Sequence, residues 1–121
     1  MQQILLIGNI FQEPVLRESE RLSRDALGKK YWEYKVECEN DLEVNDRDER
    51  IHVIYSVINF DAEKRHDYSK GDEVTVTGKF VARLYKDKND TTHMKLFVFE
   101  TYEMCFDNNS ASIIIDEICN R

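Results

Sequence analysis

The sequence predicts an all-β fold: a five-stranded barrel with one short helix between strands 3 and 4. Three observations predict it. Residues 30–40 (KYWEYKVECEN) alternate, with Trp32, Tyr34, Val36 and Cys38 on one face and Tyr31, Glu33, Lys35, Glu37 and Glu39 on the other, the period of a half-buried strand. Residues 51–60 (IHVIYSVINF) and 73–85 (EVTVTGKFVARLY) are rich in β-branched and aromatic residues. No βαβ alternation, internal repeat or helical-bundle pattern competes with them.

The elements follow in order. Residues 4–10 form a short apolar strand with a kink at Gly8-Asn9. Residues 11–14 read as a turn, because Pro14 fixes φ. Residues 15–24 suit a ragged strand or a short helix. After Gly28 come the alternating strand, an acidic hairpin loop over 41–50 and the returning strand 51–60. Residues 61–69 are polar, with Asp61 as N-cap and Lys70-Gly71 as the stop, and read as the short helix. Gly78 falls inside the next strand, where a glycine marks a sharp bend at a barrel corner. Residues 86–92 form a hairpin loop and 93–106 the last strand. Residues 1–106 are therefore the barrel domain, and 107–121 a short C-terminal extension, helix or strand. Five strands with that helix placement make the OB arrangement.

The 121 residues suit one domain, and the 41% hydrophobic content is enough for one core. Cys38, Cys105 and Cys119 are odd in number and widely spaced, which argues against a disulfide framework and for a reducing compartment. The apolar run near the N-terminus is too short to span a membrane and lacks the basic start of a secretion signal, so a cytoplasmic location is expected. Net charge is −7, but residues 37–50 carry seven acids and two bases, leaving −2 for the rest. The charge is thus localised, and a basic face elsewhere remains compatible with it.

A series of colinear motifs carries a resemblance. Leu6-Ile7-Gly8-Asn9 followed by Glu13-Pro14 and Arg17, the alternating strand from Gly28 to Asn40, and His52 in the third strand form its first half. Tyr68-Ser69-Lys70-Gly71-Asp72 with Val74, Val76 and Gly78, then Tyr85 with Asp87, and Glu103-Met104 form its second. Over about residues 3–106 this resembles the bacterial single-stranded-DNA-binding proteins. The resemblance implies an OB-fold protein that coats or protects single-stranded DNA without sequence preference in replication, recombination or repair. It also implies a homotetramer, with a homodimer as the alternative, and no catalysis. The end, Asp116 to Arg121, departs from the family's acidic, Phe-ended tail, so recruitment of replication enzymes through such a tail is not expected.

Single-strand binders set cations along the backbone track and aromatic rings under the bases, each stacked base contributing about 1–3 kcal/mol. In residues 73–85, Lys79, Arg83 and Tyr85 share one side with Thr75, Thr77 and Val81, while Val74, Val76, Phe80, Ala82 and Leu84 suit the interior. With Lys86 and Lys88 in the following loop, Lys79, Arg83 and Tyr85 form the leading candidate patch. Tyr31 and Lys35 project from the second strand. Trp32 has core parity and is a rim candidate. Tyr55 lies on a face that the resemblance places outward. Arg17, Arg21 and Arg24 are surface arginines within reach of phosphate. Phe97, Phe99 and Tyr102 suit the barrel or a subunit contact.

His52, His66 and His93 and the three cysteines lack zinc-ligand spacing, and no phosphate-cradling glycine loop or nucleophile arrangement is present, so no cofactor or metal is expected. Asp46, Asp48 and Glu49 alone would suit a cation, the only hint of a metal-dependent hydrolase. The acidic charge favours an alternative function: an OB module for protein interaction, as in a primosome or mobile-element accessory factor, with weak or no DNA binding.

Overall fold

The computed structural model describes residues 2–44, 47–100 and 107–121, without the side chains of 41–49. The strands are β1 (Gln2–Glu18), β2 (Lys30–Val44), β3 (Arg47–Asn59), β4 (Glu73–Lys86) and β5 (Thr92–Glu100), followed by the helix α1 (Asn108–Cys119). The sheet closes in the order β1-β2-β3-β5-β4. Neighbours are antiparallel except β3 and β5, which run parallel over three residue pairs. This is the OB strand arrangement.

β1 serves two neighbours, pairing with β4 over its first half and with β2 over its second. The turn predicted for 11–14 is instead continuous strand. Register shifts between Ile10 and Gln12 and between Gln12 and Val15 bend it, and the second falls where Pro14 has no N–H to give to the ladder. The hairpin loop predicted for 41–50 is paired backbone as far as Val44 and Arg47. Beside this arm, Arg50 meets Glu39 at 2.9 Å and His52 meets Glu37 at 2.8 Å across the two strands. The side chains of Asp46, Asp48 and Glu49 lie outside the described residues. At Gly78, where a sharp bend is expected, the structure shows a close approach of neighbouring backbones. Here β4 is flanked by Ile4 of β1 and Glu100 of β5, and a Cβ would overlap the Phe99 carbonyl.

The helix predicted between strands 3 and 4 does not form. Asp61 caps only one turn, accepting from the Glu63 amide at 3.2 Å. The inward residues of that segment, His66 and Tyr68, are two apart, which suits extended chain and offers no helical face to bury. The helix stands instead at the C-terminus. Asp107 caps it by accepting from the Asn109 amide at 3.0 Å and the Ser110 hydroxyl at 2.7 Å. Ala111, Ile114, Ile115 and Ile118 then fall on one face. That burial outweighs the poor helix propensity of isoleucine.

Two cores result. Inside the barrel Leu6, Ile10, Tyr34, Val36, Cys38, Val57, Val74, Val76 and Val98 pack together. Outside it, the apolar face of α1 packs with Tyr31, Ile58, Phe97 and Phe99 from β2, β3 and β5, and with Leu22. β5 is therefore sandwiched, with Val98 inside and Phe97 and Phe99 under the helix.

Several assignments of side change accordingly. Tyr31, predicted to project to solvent, is 1% exposed, because α1 covers the outer face of β2. Tyr55, predicted outward, shares the inner parity of Val57 and packs edge-on to Phe80, with ring centroids 6.3 Å apart. Ala82 and Leu84, predicted inside, are exposed, because the β4–β5 hairpin runs on past the barrel and has no interior to face there. Tyr102 and Cys105 lie outside the described residues.

The end of the barrel is closed by a polar cluster. Tyr34 donates its hydroxyl proton to Glu100, the buried His66 Nε2 lies 3.6 Å from the same carboxylate, and Lys64 lies 3.9 Å from its other oxygen. Burial pushes the Glu100 carboxyl up. The hydrogen bonds from His66 and Tyr34 outweigh this and hold it below the ordinary glutamate range. A carboxylate with a depressed folded pKa contributes stability above its unfolded value, near pH ~4.3, and loses it as pH falls through the folded value.

Urea unfolding across a pH series should show stability declining from about pH 5 downward, and the Glu100→Gln protein should lose much less over the same range. At neutral pH, Ile114→Ala should destabilise by about 2–5 kcal/mol, the usual cost of truncating a fully buried isoleucine, read as a lower urea midpoint.

Candidate nucleic-acid interface

The outer face of β2, β3, β5 and β4 is a grid whose rows follow from the ladders. Glu33, Ile58, Phe99 and Lys79 make one row, and Lys35, Ser56, Phe97 and Val81 the next. Along the β5–β4 hairpin the rows continue as Lys95 opposite Arg83 and His93 opposite Tyr85. α1 covers the centre of the first two rows. Past its last turn the surface becomes cationic.

A cleft of about 440 Å³ opens there, between the hairpin, the end of α1 and the outer edge of β1 and β2. Arg17, Lys35, Lys86, Lys88, Lys95 and Arg121 line it, against two carboxylates, Glu33 and Asp87. Both carboxylates are occupied. Glu33, 2% exposed, accepts two hydrogen bonds from Arg121 at 2.8 Å and lies 3.8 Å from Arg17. Asp87 pairs with His93 at 2.6 Å, and that hydrogen bond, helped by the Thr91 amide, holds its carboxyl below the usual range. The cleft therefore keeps a surplus of positive charge in a chain of net charge −7. Burial, followed by the charge of Lys35, lowers the pKa of Lys95. That is the response of an ammonium in a half-enclosed positive site.

One wall is aromatic. Tyr85 and His93 stack with centroids 5.4 Å apart and planes 25° from parallel. Both are partly exposed, so a flat π-surface stands beside the lysines.

Of the residues predicted from sequence, Lys35, Tyr85, Lys86 and Lys88 converge in this cleft. Arg83 adjoins it, but its guanidinium is held by Asp116 of α1 at 2.5 Å. Lys79 stands on the same face of β4, four residues before Arg83, and does not line the cleft. Tyr31 lies beneath α1, where its hydroxyl accepts from Arg121 at 3.1 Å. Trp32 is at the far end of the barrel, donating its Nε1 proton to the Ala62 carbonyl at 3.1 Å, with its ring beside His66. Tyr55 is on the inner side. The sequence reading missed Lys95 and His93, although pairing across the 86–92 turn sets them opposite Arg83 and Tyr85. Arg121 carried no local signal, since it reaches the cleft only through the docking of α1.

A neighbouring cleft of about 460 Å³ runs along α1, but Glu18, Glu20, Asp116 and Glu117 there outnumber Arg17, Arg21 and Arg121. Its charge does not suit a phosphate backbone.

No family model matches the chain, and no curated protein matches its sequence. Its fold is similar to that of solved structures. One is the small single-stranded DNA-binding protein from Streptomyces coelicolor, at 14% identity and TM-score 0.58, covering 84% of this chain and 90% of that one. Another is an SSB from Plasmodium falciparum in complex with single-stranded DNA, at 15% identity and TM-score 0.60, covering 85% and 89%. A third is a deletion mutant of the single-stranded DNA binding protein from Thermus aquaticus, at 15% identity and TM-score 0.55, covering 81% of this chain and 47% of that one. At these identities the likeness establishes the OB barrel.

Asp116→Asn should release Arg83 and remove one negative charge from the edge of the cleft. The affinity of the protein for a polyanion such as heparin should rise several-fold, read as later elution in a salt gradient; earlier elution would contradict the electrostatic account.

Proposed function

We propose that this chain binds single-stranded DNA without sequence preference and without catalysis, as a member of the single-stranded-DNA-binding protein family. The observation that carries the reading is the cationic cleft walled by the Tyr85–His93 stack. Such a site combines the two contributions a single strand needs, charge for the phosphates and a π-face for a base. The cleft lies where the β4–β5 loop joins the sheet, a region OB barrels use for oligonucleotides. The fold shared with DNA-binding structures, one of them holding single-stranded DNA, supports the same reading.

In this reading Lys35, Lys86 and Lys88 contact the backbone, Tyr85 stacks a base, and Lys95 and Arg17 join them. Arg83 contributes field, its charge shared with Asp116. Lys79 extends the positive edge. Tyr31, Trp32 and Tyr55 support the barrel and the helix. Residues 1–106 are the binding domain. The extension 107–121 shapes the cleft through α1. The protein works in the cytoplasm as a homo-oligomer, tetramer or dimer, serving replication, recombination or repair.

One observation favours a second reading, an OB module for a protein partner. α1 occupies part of the β2–β3 outer face that OB barrels offer to nucleic acid, on a chain of net charge −7.

Titration with oligo-dT, followed by tyrosine and tryptophan fluorescence, separates the two. A single-strand binder should quench saturably, with log K falling linearly in log salt concentration. Tyr85→Ala should weaken binding by about 1–3 kcal/mol. No saturable quenching at low salt would reject DNA binding and leave the protein-partner reading.

A further inference from the structure

Among the described residues, Lys35 and Lys95 stand in the cleft without an ion-pair partner. Lys35 lies opposite Ser56, Ser56 lies beside Phe97, and Lys95 stands two residues before Phe97 on β5, so both lysines rise from the same outer face. Among the described residues neither has a carboxylate within ion-pairing distance. The charged and titratable groups around them come from every side. β1 supplies Arg17, and β2 supplies Glu33. β4 supplies Arg83, Tyr85 and Lys86, with Asp87 and Lys88 in the turn that follows. β5 supplies His93, and α1 supplies Asp116 and Cys119, with Arg121 just beyond. The three carboxylates are engaged elsewhere: Glu33 with Arg121, Asp87 with His93 and Asp116 with Arg83. Ser56, between the lysines, is buried, and the end of α1 walls the site.

The geometry points to a shared seat in which Lys35 and Lys95 together hold one phosphodiester group of the bound strand. This rests on the reading of the chain as a single-strand binder and goes further, because it assigns two cations to one phosphate. An anion bridging both ammoniums removes their repulsion and replaces the solvation that Lys95 loses in the cleft. Lys95 also has its pKa lowered below the ordinary lysine value. Burial and then the Lys35 charge disfavour its ammonium form, so the seat weakens as pH rises, before an ordinary lysine would titrate.

Counterion release makes this measurable. Each phosphate neutralised on a single strand contributes about 0.7 to the slope of log K against log salt concentration. In oligo-dT titrations, Lys35→Gln, Lys95→Gln and the double variant should each lower the slope by no more than about 0.7. Two independent phosphate contacts would instead lower it by about 1.4 in the double variant, which would overturn the shared seat. Wild-type affinity should fall as pH is raised from 7 toward the ordinary lysine value of about 10.4. Lys35→Gln should move that fall to higher pH, and Lys95→Arg, whose charge does not titrate, should move it up to the range in which ordinary lysines titrate while keeping the wild-type salt slope. A fall that persists unchanged in Lys95→Arg would reject the assignment. Thermal unfolding at the wild-type temperature shows that each variant is folded. Absence of oligo-dT binding by the wild type overturns both the function and the seat, whereas binding with the two-phosphate slope overturns the seat alone.

Discussion

The docking of α1 on the outside of the barrel governs the rest of the molecule. Ile114, Ile115 and Ile118 are all but sealed from solvent against Tyr31, Ile58, Phe97 and Phe99. Each buried isoleucine contributes about 1.5–3 kcal/mol, so this contact rivals the net stability of a small domain. It turns the outer face of β2, β3 and β5, solvent-facing in a simple barrel, into a second core. It also carries Arg121 to Glu33 and Asp116 to Arg83, and these ties set the charge at the edge of the helix.

The electrostatics follow from that placement. Acidic residues outnumber basic ones in the chain, yet Glu33, Asp87 and Asp116 are each engaged by a cation or an imidazole, while Lys35, Lys88 and Lys95 have no such partner among the described residues. A local surplus therefore coexists with a global deficit. In water at physiological salt, fields decay over about 8 Å, so a strand entering the cleft responds first to the lysines that line it. Glu39 on the β2–β3 arm is moreover compensated by Arg50, and Glu37 lies against His52.

The barrel end opposite the cleft works by a different balance. Glu100 is enclosed with His66, Tyr34 and Lys64, and hydrogen bonding keeps it charged against the cost of burial. The chain between β3 and β4 reaches inward at His66 and Tyr68, whose rings lie 5.9 Å apart and pack around Tyr34. An extended plug, with every second residue inward, serves where a helix was expected.

By itself the sequence determined the central parts of the strands, though not the run of β1 through 11–18 or the pairing of β2 with β3 beyond Asn40. Alternation at Tyr34, Val36 and Cys38 and the β-branched runs of β3 and β4 are local signals, because a pleat repeats every two residues, whereas the need for glycine at 78 comes from Phe99 of β5, which only the pairing of β4 with β5 brings close. It also marked Tyr85, Lys86 and Lys88, which strand parity and the 86–92 turn bring near one another, and Lys35, which joins them only through the pairing of β2 with β3 and of β3 with β5. The tertiary structure alone decided which faces are covered. Tyr31 and Lys35 have the same parity on β2, yet the helix buries one and leaves the other at the mouth of the cleft. Leu84 has core parity but stands on a hairpin that outruns the core. Lys95, Arg121 and the release of cations from their carboxylates depend on groups tens of residues apart. Burial and ion pairing are properties of the assembled surface, and no window of sequence contains them.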